Sequence, residues 1–112
     1  MKKIFFIILS LSFYLISDSI AKENFFEEAK NKYDKDQIED SKFLFQRNIV
    51  FNPKDAKSYL YLAKIYKLED NDEFQEQNLN TVILLNPKNE EAVYLLALLK
   101  IKQSDYKKSK EL

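Results

Sequence analysis

The side chains that could do chemistry in this chain are carboxylates and ammonium groups: 18 acidic and 18 basic residues, with no His and no Cys. Two carboxylates are enough for glycoside hydrolysis when one is kept protonated by an apolar setting, and Glu27 and Asp34 are the pair to consider. No such setting is visible around them. Glu and Asp on helix surfaces are ordinarily solvated or paired along the helix. Without imidazole or thiol the chain lacks the usual zinc ligands, a thiol nucleophile and a general base suited to neutral pH. It also contains no Gly, so a phosphate-cradling loop of the Walker or Rossmann kind is excluded. No enzyme activity, catalytic residue, cofactor or metal is expected, and disulfides are impossible.

Charge gives no strong partner either. Lys and Asp/Glu are interleaved along the chain, whereas nucleic-acid binding needs a clustered basic excess. The chemistry left to such a chain is recognition, and recognition depends on the elements that position its side chains.

The first element is a leader, residues 1–21. Lys2 and Lys3 precede the uncharged run Ile4 to Ile16, and Ser19 and Ala21 put small residues where a signal peptidase reads them, the form of a secretory signal. As a helix this run would cover about 20 Å of a hydrocarbon layer about 30 Å thick, short for a permanent span. The reading is a cleaved signal, with an uncleaved anchor to the inner membrane as the alternative. Either exports residues 22–112 to the periplasm or medium of a bacterium. No Cys follows the run, so a lipid anchor is excluded.

Beyond the leader the apolar residues recur at helical spacing. Phe25, Phe26, Ala29 and Tyr33 mark one helix, and Ile38, Phe43, Leu44, Phe45, Ile49 and Phe51 a second. Tyr59, Leu62, Ala63 and Tyr66 form a third, and Phe74, Leu79, Val82, Ile83 and Leu85 a fourth, with turns at 34–37 and 69–73. A fifth, from Val93 through Ile101, is apolar nearly all round; a turn at Gln103-Ser104-Asp105-Tyr106 and a short helix should follow. The only two prolines stand in Asn52-Pro53-Lys54 and Asn86-Pro87-Lys88, 34 positions apart. Asn should cap, and Pro begin, the third and fifth helices.

These residues resemble the tetratricopeptide repeat (TPR) family, which has a 34-residue period of paired helices. Tyr59, Leu62, Ala63 and Tyr66 match its first-helix pattern, with Pro53 and Pro87 as its closing prolines. Val93, Leu96 and Ala97 match in the last repeat. Phe26, Ala29, Tyr33, Ile38, Ser41 and Phe45 match in the first, if one residue is missing from its turn. Gln75 and Lys30 stand where the family has small residues. The resemblance implies an all-α fold: antiparallel helical hairpins stacked as a short right-handed solenoid, with repeats about 22–55, 56–89 and an incomplete 90–112.

The family's geometry puts Glu27 and Asn31, then Lys57, Leu60, Lys64 and Lys67, then Glu91, Tyr94, Leu98 and Ile101 on a concave face. The carboxylate clamp of some members falls here on Glu27, Asn31, Tyr61, Glu91 and Leu95, where only the Asn fits. The implied function is an exported protein-protein interaction module or adaptor that takes an apolar or amphipathic peptide or helix. Its sites would be the concave face and the open C-terminal end, where Leu98, Leu99 and Ile101 await a partner chain or a second copy. A membrane-tethered, self-associating structural component is the alternative, and a carboxylate-dependent hydrolase a weaker one. Intact-mass analysis of the exported protein should find a chain beginning at Lys22; a retained Met1 would favour the tethered form.

Overall fold

A chain without glycine must turn between helices using other residues, and two of its turns are built alike. The computed structural model describes residues 24–111; the leader and its cleavage site lie outside them. The described residues form five helices and no strand: α1 (Phe26–Asp34), α2 (Ile38–Phe51), α3 (Ala56–Leu68), α4 (Asp72–Leu85) and α5 (Glu90–Glu111). The fold is all-α, with α1/α2 and α3/α4 as hairpins and α5 packed against α4.

Each hairpin turn places an aspartate in the left-handed region, Asp36 at φ 60° and Asp70 at φ 56°. In the first, Gln37 N–H donates to Lys32 C=O (2.9 Å) and Asp36 N–H to Tyr33 C=O (3.0 Å). In the second, Asn71 donates to Tyr66 (2.9 Å) and Asp70 to Lys67 (3.1 Å). This is the Schellman pattern, and Asp is among the few non-Gly residues that tolerate its left-handed position. Asp36 and Asp70 are 34 apart, so the hairpins keep register without a gap. The residue expected to be missing from the first turn is not missing.

The proline junctions differ from expectation in a related way. Helix α3 begins at Ala56 and α5 at Glu90, three residues beyond each proline, so neither proline is a first helical residue. Asn52 and Asn86 instead follow the ends of α2 and α4. Their C=O groups accept from Asp55 N–H and Asn89 N–H, both at 3.1 Å. Proline therefore sits at the second position of a β-turn, where its fixed φ belongs. The capping role passes to the fourth residue of the motif. Asn89 Oδ1 accepts from Ala92 N–H (3.0 Å) at the start of α5, as an N-cap does.

At the first junction the fourth residue, Asp55, joins a polar cluster around Asn48, whose side chain is fully buried. Asn48 Oδ1 accepts from Phe25 N–H (2.8 Å) and Asn52 Nδ2 (3.1 Å). Its Nδ2 donates to Asp55 Oδ2 (3.0 Å) and Ser58 Oγ (2.8 Å), and Ser58 Oγ donates to Asp55 Oδ2 (2.7 Å). One amide thus fills both its donor and both its acceptor positions, and ties the start of α1 to the end of α2 and the start of α3. At the second junction the same register positions hold Val82 and Ala92, both fully buried and packed with Leu60, Ala63 and Leu79.

The first interface is otherwise aromatic. Tyr61 stacks on buried Phe45 (4.9 Å, 12°) and meets Phe26 (5.8 Å) and Tyr33 (5.1 Å) edge-on, above Ala29, Leu62 and Ile65. Such ring pairs contribute about 0.5–1.5 kcal/mol beyond the area they bury. Ser41 Oγ donates to the Ala29 C=O (2.9 Å), so α1 and α2 touch with only small side chains between them. Gln75 occupies the equivalent place in α4 and is 4% exposed; the amide is accommodated where a small residue was expected.

The largest departure is in α5. The expected turn at 103–106 does not form, and one helix of 22 residues runs from Glu90 to Glu111. Register holds up to that point: Lys42 Nζ meets Glu69 Oε1 at 2.8 Å, and 34 residues on Gln103 Nε2 meets Glu76 Oε2 at 3.4 Å. It is lost at Ser104, the counterpart of Asp36 and Asp70. A left-handed turn costs free energy that α2 and α4 offset by burying Phe45, Leu79 and Val82. Lys107, Lys108, Ser109 and Lys110 carry no such apolar series, and they continue a helix readily.

Asn48→Ala should lower the unfolding free energy by about 2–4 kcal/mol, because it removes four hydrogen bonds at a fully buried site and leaves the Phe25 N–H without its acceptor. Urea titration followed by circular dichroism measures this, and a loss below 1 kcal/mol would refute the role given to the cluster.

Candidate functional site

The residues expected on one concave face have separate fates. Lys57 is exposed on α3, its Nζ 5.9 Å from the centre of the Phe26 ring of α1. Leu60 is 8% exposed within the cluster of Ala63, Leu79, Val82 and Ala92, which corrects its placement on an open groove: Ala92 of α5 closes over it. Lys64 Nζ pairs with Glu91 Oε1 at 2.6 Å and lies 5.1 Å from the Tyr61 ring, linking α3 to α5. Lys67 and Leu98 line one small cavity of about 190 Å³ with Gln75, Leu95, Leu99 and Lys102. Tyr94 and Ile101 remain open, 62% and 58% exposed. Leu99, expected to await a partner, is 3% exposed and already covered.

The structure therefore brings together Lys64 with Glu91 and Lys67 with Leu98, and leaves an apolar stripe on α5. Val93, Tyr94, Ala97, Leu98 and Ile101 recur at three- and four-residue spacing along its exposed side. The N-terminal half of the stripe opens on a depression of about 500 Å³ lined by Pro87, Lys88, Glu90, Val93, Tyr94 and Ala97. Register explains why this stripe differs from other exposed apolar residues. Val50 and Leu84 are 34 apart and both exposed (74% and 81%), so exposure there is normal to the repeat. Tyr94 corresponds to Leu60, and Ala97 to Ala29 and Ala63, all buried. In α5 a surface that the array elsewhere covers is left open.

No protein-family model matches the chain, and no curated protein matches it.

The open stripe is held by ion pairs at its back. Lys102 Nζ lies 2.8 Å from Asp70 Oδ1 and 2.9 Å from Asp72 Oδ1, and Lys100 pairs with Glu76. The hydrogen bond from Lys102 holds the Asp70 carboxyl below its ordinary range, and that from Lys100 does the same for Glu76 against a smaller opposing effect of burial. Lys102 is correspondingly raised by its hydrogen bonds to Asp70 and Asp72. These surface pairs add little stability singly; together they fix α5 on the α3/α4 hairpin. The carboxylates first considered for chemistry are on α1, with Asp34 held 3.0 Å from Lys30 Nζ on its exposed surface and Glu27 in the exposed first turn. Among the described residues no group of three or more His, Cys, Asp or Glu side chains could hold a metal ion, and no helix is long and apolar enough to cross a membrane.

Sequence reasoning missed two features of this framework. Tyr61 was a clamp position and proved to be the centre of the aromatic cluster; its alternation with Leu60 and Leu62 hid it. Asn48 lay inside an apolar series, and its signal was the polar trio Asn48, Asp55 and Ser58 around a proline turn.

Because Asp70 and Glu76 have depressed pKa values, their contribution is present above their ordinary values of 3.8 and 4.5 and is lost as pH falls through the depressed ones. Hydrogen exchange of α5, corrected for intrinsic rates, should show its protection falling more than that of α3 between about pH 6 and pH 3. Glu76→Gln should reproduce part of that loss at the upper pH. Equal loss in both helices would contradict the tethering role.

Proposed function

We propose that this chain is a protein-protein interaction module of the tetratricopeptide type, exported by its leader, that binds a partner protein through the open face of α5. One observation carries the reading: Tyr94 and Ala97 are exposed at register positions where Leu60, Ala63 and Ala29 are buried, and Ile101, at the position of exposed Lys67, extends their apolar stripe by a turn. Leaving two or three large apolar side chains in water forgoes about 1.5–3 kcal/mol for each. A partner surface recovers that free energy. The lysine row on α3 contributes less to binding than its spacing suggested, since Lys64 is engaged with Glu91 and Leu60 is out of reach.

A photo-activatable residue placed at Tyr94 in the exporting cell should crosslink the chain to a discrete protein. The same residue at Glu73, exposed on α4, should not. Ile101→Glu should reduce the Tyr94 crosslink by about tenfold, the effect of a charge at the centre of an apolar contact. Crosslinking that is equal from both positions, or absent from Tyr94, would overturn the assignment.

A further inference from the structure

The protein contains two finished copies of the interface that α5 leaves unfinished, and they state what kind of molecule fits it. In the first, α2 lies against α1 with Ser41, Phe45 and Asn48 buried; in the second, α4 lies against α3 with Gln75, Leu79 and Val82 buried. The spacing is the same: a small or amide side chain, a large apolar one four residues on, and a third three residues beyond. Each of these helices runs antiparallel to its mate and opens with acidic residues, Glu39 and Asp40 in α2, Asp72 and Glu73 in α4.

On α5 the counterpart positions are vacant because the helix runs straight through Ser104 and does not double back. The straight course also changes the charge along the open face. Its first turn carries Glu90 and Glu91, and toward its end stand Lys107 and Lys108, while Lys110 turns to the Tyr106 ring on the other side. Lys108 is eleven residues from Ala97, about three turns along the same face. A helix laid antiparallel on this face sets its own N-terminal turn beside those lysines. An acidic first turn, as in α2 and α4, is the complementary charge there.

We propose that the ligand of this surface is a single amphipathic helix of a partner protein. It lies antiparallel along α5 in the place that α4 takes against α3. It carries an acidic first turn, then a small or amide residue against Ala97, with Phe or Leu four residues later. The mode is helix addition, completing a third hairpin between two chains. This deepens the function proposed above and rests on it.

The probe is a fluorescein-labelled synthetic peptide with the sequence of residues 70–86, the chain's own α4, titrated by anisotropy against the exported protein. It should bind saturably with a dissociation constant of about 100 µM or tighter, as expected of a contact at the small end of the interface scale. Leu79→Asp in the peptide, or Ala97→Arg in the protein, should weaken it by about tenfold or more. Ala97 is exposed, so the substitution leaves the folded chain intact, which its circular dichroism checks. Binding that Ala97→Arg does not change, or no binding, overturns helix addition. Sedimentation showing a dimer that Ala97→Arg dissociates and that excludes the peptide also overturns it, assigning the face to a second copy. If the peptide fails while Tyr94 still crosslinks a discrete protein, helix addition falls and the interaction module stands; if Tyr94 is silent as well, both fall.

Discussion

The buried amide of Asn48 is the constraint on which the arrangement of the helices depends. It sits where three segments meet, the entry to α1, the end of α2 and the turn into α3, and each contributes a hydrogen-bonding group to it. An apolar side chain there would allow the first helices to slide or rotate at small cost. A buried amide with four partners does not, because most displacements strand a polar group away from water. Among the described residues no buried side-chain polar atom is left without a partner. The second interface, built on Val82 and Ala92, needs only shape, since α3 and α4 already have their orientation when α5 packs on them.

Register then passes along the array through the turns. With no glycine available, Asp36 and Asp70 accept left-handed backbone, and the hydrogen-bond pattern around them is the same in both hairpins. The contact between Lys42 and Glu69 recurs as one between Glu76 and Gln103, its chemistry changed from ammonium with carboxylate to amide with carboxylate while its place is kept. Geometry is retained over a full period as side chains drift. The repeat stops being a hairpin only where no buried helix compensates for the turn.

That stop produces the surface with the clearest capacity for function. Helix α5 packs against α4 on one side and carries the exposed apolar stripe on another. Its back is fixed by Lys100 and Lys102 against the acidic groups of α4 and its turn, so the exposed stripe is presented on a positioned element. Preorganisation of this kind lowers the ordering cost of binding. Of the lysines on α3, Lys64 is engaged in the contact with Glu91 that links α3 to α5.

The sequence by itself determined the helices, their period and their order, because apolar spacing, proline and turn-forming residues are local signals that survive without tertiary context. It placed the end of α2 at Phe51 and the turn before α4 within the right residues. What only the tertiary structure decided was which residues at repeat positions are covered. Leu60 and Tyr94 occupy equivalent places and one is buried, the other open, because α4 and α5 cover the first and none of the described helices covers the second. The same holds for the unformed turn at Ser104, since a turn is adopted when the helix it launches has something to bury. Local pattern specifies what each segment can form; coverage is a property of the neighbours, and the sequence of a segment does not contain its neighbours.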